Sequence, residues 1–182
     1  MTNFKEFKEK HGVPEKCCVV TSKSIEKYQG KLPDLLIEEW NEVGWCSYAE
    51  GLLWIVNPED FQDVLKEWII NSESSYVFAR TSFGDMIVWD GKRVNYISVL
   101  YKNIFNLSES LRVLFEVTLC DQNYLEDVLD IELHEKAIKK LGRLEYDECY
   151  AFEPALALGG SGDIETVQKA KLREHLYFLS QL

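Results

Sequence analysis

Hydrophobic positions along this chain follow helical spacing at both ends and collapse into short solid runs in the middle. Phe4 and Phe7 mark one face of a helix over residues 3–11, stopped by Gly12-Val13-Pro14. A short helix over 24–28 ends at Gly30. Pro33 then opens an amphipathic helix in which Leu35, Leu36, Trp40 and Val43 recur at helical spacing, with Gly44 at its C-terminal end. The run LLWIV over 52–56 reads as a buried strand. Asn57-Pro58 starts the next helix, with Asn57 as N-cap and an apolar stripe of Phe61, Val64, Leu65 and Trp68.

The middle of the chain has strand character over 76–80, 86–89 and 94–99. Phe83-Gly84-Asp85 and Asp90-Gly91 punctuate these runs, and Asp90-Gly91 predicts a hairpin. From about Leu107 the pattern turns helical. Ser108 is placed to cap a helix carrying Leu111, Leu114, Phe115 and Leu119, and helices over 124–129 and 133–141 follow, the latter ending at Gly142. Residues 146–158 thread through the core, Gly159 to Gly162 form a turn, and helix runs from Asp163 to the end with a stripe of Leu172, Leu176 and Leu179.

These elements predict an α+β fold: a mixed helix and antiparallel-sheet part, residues 1–105, packed against a helical part, residues 106–182. The two share one continuous apolar core that buries Trp40, Trp54, Trp68 and Trp89. The change near 105 is one of secondary-structure type, with no low-complexity linker.

Charge narrows the choice of partner. The chain has 31 Asp and Glu against 20 Lys and Arg, a net charge of −11. Nucleic acid and anionic membranes are disfavoured as direct partners, because both are bound through clustered cations. A basic protein is favoured, since complementary fields speed encounter. No apolar run approaches the roughly 20 residues that span a bilayer, and the N-terminal MTNFKEFKEKHG has no signal-peptide core. Cys17, Cys18, Cys46, Cys120 and Cys149 show no framework spacing. They read as reduced thiols of a cytoplasmic protein.

Catalytic chemistry is not legible. His11, His134 and His175 each stand apart from any ligand-spaced partner, so no metal and no cofactor is expected. The GGSG turn at 159–162 lacks the Lys-Ser/Thr ending of a phosphate loop, and Asp163 behind it would repel phosphate. Asp163 is better placed as a helix N-cap. Glu145, Asp147 and Glu148 could serve acid–base or Mg²⁺ chemistry, but no companion motif supports either; a partner-facing or solvated surface is the better reading. No nucleophile–base–orienter set emerges, and the chain is not expected to be an enzyme.

Two blocks carry a resemblance. KYQGKLPDLLIEEWNEVGWCSYAEGLLWIVNPEDFQDVLKEW, residues 27–68, with SSYVFARTSFGDMIVWDG, residues 74–91, resembles the GAD-like domain. LHEKAIKKLGRLEYDECYAFEPALALGGSGDIETVQKAKLREHLYFLSQL, residues 133–182, is similar to the companion domain of type VI secretion DNase-immunity proteins. The resemblance implies a non-enzymatic protein that binds a secreted antibacterial toxin, commonly a DNase, and blocks or deforms it. It assigns no binding residues. A regulatory or adaptor module on the same fold is the alternative it leaves open.

The partner surface is therefore sought in charge. Residues 106–182 hold 15 acidic and 8 basic side chains, against 16 and 12 in residues 1–105. The excess centres on Asp121, Glu126, Asp127, Asp130, Glu132, Glu145, Asp147 and Glu148. As a group these carboxylates could mimic the phosphates that a basic nuclease binds, although any one of them is more simply a solvated helix residue.

Overall fold

The computed structural model describes residues 4–70 and 72–182. The expected first helix appears as α1, Lys5–His11, and the expectation for residue 3 lies outside the described residues. Seven strands follow one another as an antiparallel meander whose order in space is their order in the chain. They are β1 Glu15–Cys18, β2 Trp45–Tyr48, β3 Leu53–Ile55, β4 Tyr76–Thr81, β5 Met86–Trp89, β6 Val94–Ser98 and β7 Asn103–Ser108. Helices α2 Ser22–Tyr28 and α3 Asp34–Glu42 connect β1 to β2, and α4 Gln62–Trp68 connects β3 to β4. After the sheet come α5 Leu111–Glu116, α6 Gln122–Asp127, α7 Ile131–Leu141, the hairpin β8 Glu148–Phe152 with β9 Val167–Lys171, and α8 Leu172–Ser180.

The sheet divides the apolar interior in two. On one face Tyr28, Leu36, Trp40, Phe78, Ile87 and Tyr96 pack with Leu111, Leu114, Phe115, Leu125 and Leu129. On the other, Trp54, Val64, Leu65, Val77, Met86, Val88 and Ile97 pack with Ala137, Tyr150, Leu172, Leu176 and Leu179. The single continuous core expected from the sequence is thus two cores separated by the sheet. Each draws on both halves of the chain, so the boundary near 105 is not a boundary between cores. Strands covered on both faces need apolar residues throughout, which is why LLWIV and MIVW lack alternation. Trp40 and Trp54 are fully buried, whereas Trp68 and Trp89 are only half-buried because they lie at the rims of the second and the first core respectively.

Other expectations need correction. The C-terminal part is not purely helical: β7 runs to Ser108, and β8 and β9 form their own sheet. Ser110, not Ser108, caps α5 by accepting the Val113 N–H. Asp163 makes no side-chain cap, and strand β9 precedes the last helix. Cys17 and Cys46 form a disulfide rather than two free thiols. The reason is register: β1 and β2 pair antiparallel with Glu15 opposite Ser47, which brings the two cysteine backbones side by side across 29 residues of sequence. Cys18, Cys120 and Cys149 are free thiols.

One buried cation ties the sheet to the C-terminal segment. Arg80 on β4 is fully buried and stacks over the Trp54 ring at 4.6 Å. Its guanidinium donates to the carbonyls of Thr81 (3.1 Å) and Tyr146 (2.9 Å). Burial lowers its pKa to about 10, and the guanidinium stays charged at neutral pH.

Candidate functional site

The eight acidic positions fall into two groups with different electrostatics. Glu145, Asp147 and Glu148 lie at the start of β8, where its hairpin partner β9 is rich in lysine. Glu145 pairs with Lys16 at 2.7 Å, Asp147 with Lys171 at 2.7 Å and Glu148 with Lys169 at 3.7 Å. The hydrogen bond from Lys171 holds the Asp147 carboxyl below its ordinary pKa. Glu148 also accepts the Glu145 N–H. Each of these carboxylates already faces an intramolecular cation, so the group presents little uncompensated charge.

Asp121, Glu126, Asp127, Asp130 and Glu132 occupy α6, the start of α7 and their caps. No lysine or arginine occurs anywhere in 121–132. Asp121 caps α6, accepting the N–H groups of Asn123 and Tyr124. Glu126 accepts from the Gln122 amide. Glu132 has one exposed partner, Lys136, one turn along α7. Asp130 takes a left-handed conformation (φ 51°) at the N-cap of α7, and its half-buried carboxyl is pushed above its ordinary pKa by desolvation.

The two groups are therefore not one face. What the α6–α7 group adjoins is a cavity of about 200 Å³ between Val128–Asp130 and the ends of β6 and β7. Asp127 and Asp130 line it, with Tyr101 and Asn103 at the β6–β7 turn and Asp85, Tyr96 and Ser98 on the sheet. Asp85 is buried and held by donors from three directions: Tyr96 Oη at 2.8 Å, Thr81 Oγ1 at 3.0 Å and the Val99 N–H at 2.8 Å. Burial raises the Asp85 pKa against those hydrogen bonds, and lifts Tyr96 well above the ordinary phenol value. The Tyr96 hydroxyl also lies 3.2 Å from the Val128 carbonyl, joining the acidic helices to the sheet.

Sequence reasoning missed this cavity. Phe83-Gly84-Asp85 was legible as a turn, and Gly84 does sit at φ +89°, where a side chain is strained. The one available signal was an aspartate set directly before the apolar run Met86–Trp89. The convergence of Asp85, Asp127 and Asp130 depends on tertiary packing.

A second cleft, about 440 Å³, lies between α4 and α8 and includes Asp60, Tyr146, Asp147, Lys171 and Arg173. Its charges are self-matched: Arg173 pairs with Asp63, Lys171 with Asp147, and Tyr146 donates to Asp60. Among the described residues no group of three or more His, Cys, Asp or Glu side chains is placed to hold a metal ion. No helix of the described residues is long and apolar enough to cross a membrane.

Comparison with known families matches residues 2–103 to the GAD-like domain. The chain belongs to the GAD-like family. Residues 110–182 match the C-terminal domain of the T6SS immunity protein Tdi1. The two matches follow in order along the chain, a GAD-like domain and then a C-terminal domain of the T6SS immunity protein Tdi1 family. Members of that family are typically non-enzymatic. No curated protein matches the chain. Among solved structures, Atu4351 from Agrobacterium tumefaciens is similar in fold, with a TM-score of 0.79 at 15% identity over 98% of this chain and 88% of that one.

Proposed function

We propose that this GAD-like immunity protein neutralises a DNase effector by stoichiometric occlusion in the cytoplasm of the producing cell, with the carboxylates of α6–α7 facing the effector's cationic surface. The observation that carries this reading is the run 121–132, which holds five carboxylates and no basic residue beside an acid-lined cavity. A nuclease must attract a polyanion, so its active face is cationic. An uncompensated acidic ridge on its inhibitor competes for the same field. The division of the chain near residue 105 belongs to the same proposal, with residues 1–105 as scaffold and 106–182 carrying the contact charge. Glu145, Asp147 and Glu148 support it less, because their charge is met by Lys16, Lys171 and Lys169.

The test is an endpoint titration. The purified effector cleaves plasmid DNA with increasing amounts of this protein present. Complete inhibition at one molar equivalent, with no effect of added divalent metal on the endpoint, is the expected result. Undiminished DNA cleavage at a tenfold excess contradicts it and returns the chain to the adaptor reading.

A further inference from the structure

The two free edges of the seven-stranded sheet are built differently. The β1 edge is blunted: it carries Glu15 and Lys16, has a register irregularity between Glu15 and Cys18, and places Lys16 at φ 48°. Charge and a bulge of this kind keep other strands from pairing with a sheet edge. The opposite edge, β7, has the sequence NIFNLS, with no charged residue, no proline and no partner among the described residues beyond β6. Its first four residues are exposed or half-exposed.

Successive β7 side chains point to opposite faces of the sheet, and the surfaces they meet differ, one richer in carboxylates and the other in aliphatic side chains. Asn103 and Phe105 line the cavity that holds Asp85, Asp127 and Asp130. Ile104, between them, lines an open groove on the other face with Ile97, Val88, Trp68, Ile69 and Ile70. Ile104 is 49% exposed and Ile70 fully so, which leaves an open apolar strip in a groove that Ser74, Ser75, Asp90 and Asn95 also line.

We infer that β7 receives an extended segment of the cognate effector as an eighth strand, whose side chains alternate between basic residues over Asp127 and Asp130 and apolar residues over Ile104 and Ile97. Backbone pairing along an open edge supplies affinity, and the two unlike surfaces supply register, since a one-residue slip would put cations on the isoleucines. The inference rests on the effector-binding reading above and says where and in what form the effector docks.

Amide hydrogen exchange on the full chain, alone and with the same purified effector used in the cleavage titration, tests it. Residues 103–108 are expected to gain at least about tenfold protection in the complex. The variant Ile104→Glu adds an acidic residue yet puts it in the apolar groove. A purely electrostatic contact predicts tighter binding of a basic partner, whereas strand addition predicts weakening by about 30-fold or more. Protection without weakening by Ile104→Glu overturns the apolar half of the register, and binding with no protection at 103–108 overturns strand addition while leaving the immunity reading intact. An effector with no affinity for the wild-type chain overturns both. Protection of 103–108 that rises with protein concentration and not with effector assigns the edge to a second copy and also overturns the inference. The exchange measurement on the wild type stands even where a variant fails to fold.

Discussion

The five α6–α7 carboxylates and the three β8 carboxylates are the same chemical groups, yet they differ in what they offer a partner. Those at β8 face Lys16, Lys169 and Lys171 and are spent within the molecule. Those at α6–α7 have one exposed lysine partner, on Glu132, and otherwise cap α6, accept an amide or rim a cavity. Density of acidic residues along a sequence is thus a poor measure of available charge. What counts is whether the fold brings cations to meet them.

The largest expected effect removes the floor beneath the first group. Asp85→Ala leaves the Val99 N–H and the Thr81 and Tyr96 hydroxyls without their buried acceptor. Unfolding in urea at neutral pH should show a loss of about 3 kcal/mol or more. Asp85→Asn, which keeps an acceptor oxygen, should lose less. Equal stability of Asp85→Ala and wild type would remove Asp85 as the anchor of the acidic ridge.

Acid weakens the fold that carries both groups from within. His134 on α7 is buried near the Tyr150 ring of β8, and desolvation lowers its pKa to about 4 against the opposing influence of the Ala49 carbonyl. His175 on α8 is likewise lowered to about 4 by burial. Each is 9% exposed or less. The unfolded chain takes up these protons near pH 6.5 and the native protein not until about pH 4, so stability is full above pH 6.5 and falls as pH drops toward 4. Between pH 7.5 and 5 the expected loss is about 2 kcal/mol per histidine. His175→Phe should flatten that dependence by about half, and an unchanged pH slope in this variant would show that His175 is not held neutral.

The smallest effect is expected at β8. Replacing Glu145 with Gln removes an exposed pair with Lys16, which should cost less than about 1 kcal/mol and shift the urea midpoint little. A large loss there would mean that the β8 carboxylates hold the C-terminal part together, blurring the distinction between the groups.

Much of the architecture was legible because it rests on local rules. The α3 stripe, the Asn57 cap, the Asp90-Gly91 hairpin and the leucine stripe of α8 appear where spacing and turn chemistry put them. What escaped was set by pairing across the chain. β1 and β2 are four residues each and contain Glu15, Lys16 and Ser47, so neither has a strand signature alone. The Cys17–Cys46 disulfide was hidden with them. β7 and β9 carry polar residues on exposed faces and read as loop or helix. The candidate site was half legible. Asp127 and Asp130 were flagged by charge, but their separation from Glu145, Asp147 and Glu148 follows from lysines on β1 and β9 that only folding brings near. Asp85, the buried member of the cavity, belonged to a motif that looked purely structural.

The central claim is that the α6–α7 carboxylates, and not the β8 ones, draw in the effector. It is tested most directly by stopped-flow association at low salt with two variants that each remove three negative charges. One is Glu126→Gln, Asp127→Asn and Glu132→Gln, which spares the capping Asp121 and the half-buried Asp130; the other is Glu145→Gln, Asp147→Asn and Glu148→Gln. Because the change in net charge is the same, only its location differs. The first variant should associate about fivefold or more slowly than wild type with a shallower salt dependence, and the second within about twofold of wild type. Equal slowing by both, or greater slowing by the second, would contradict the account.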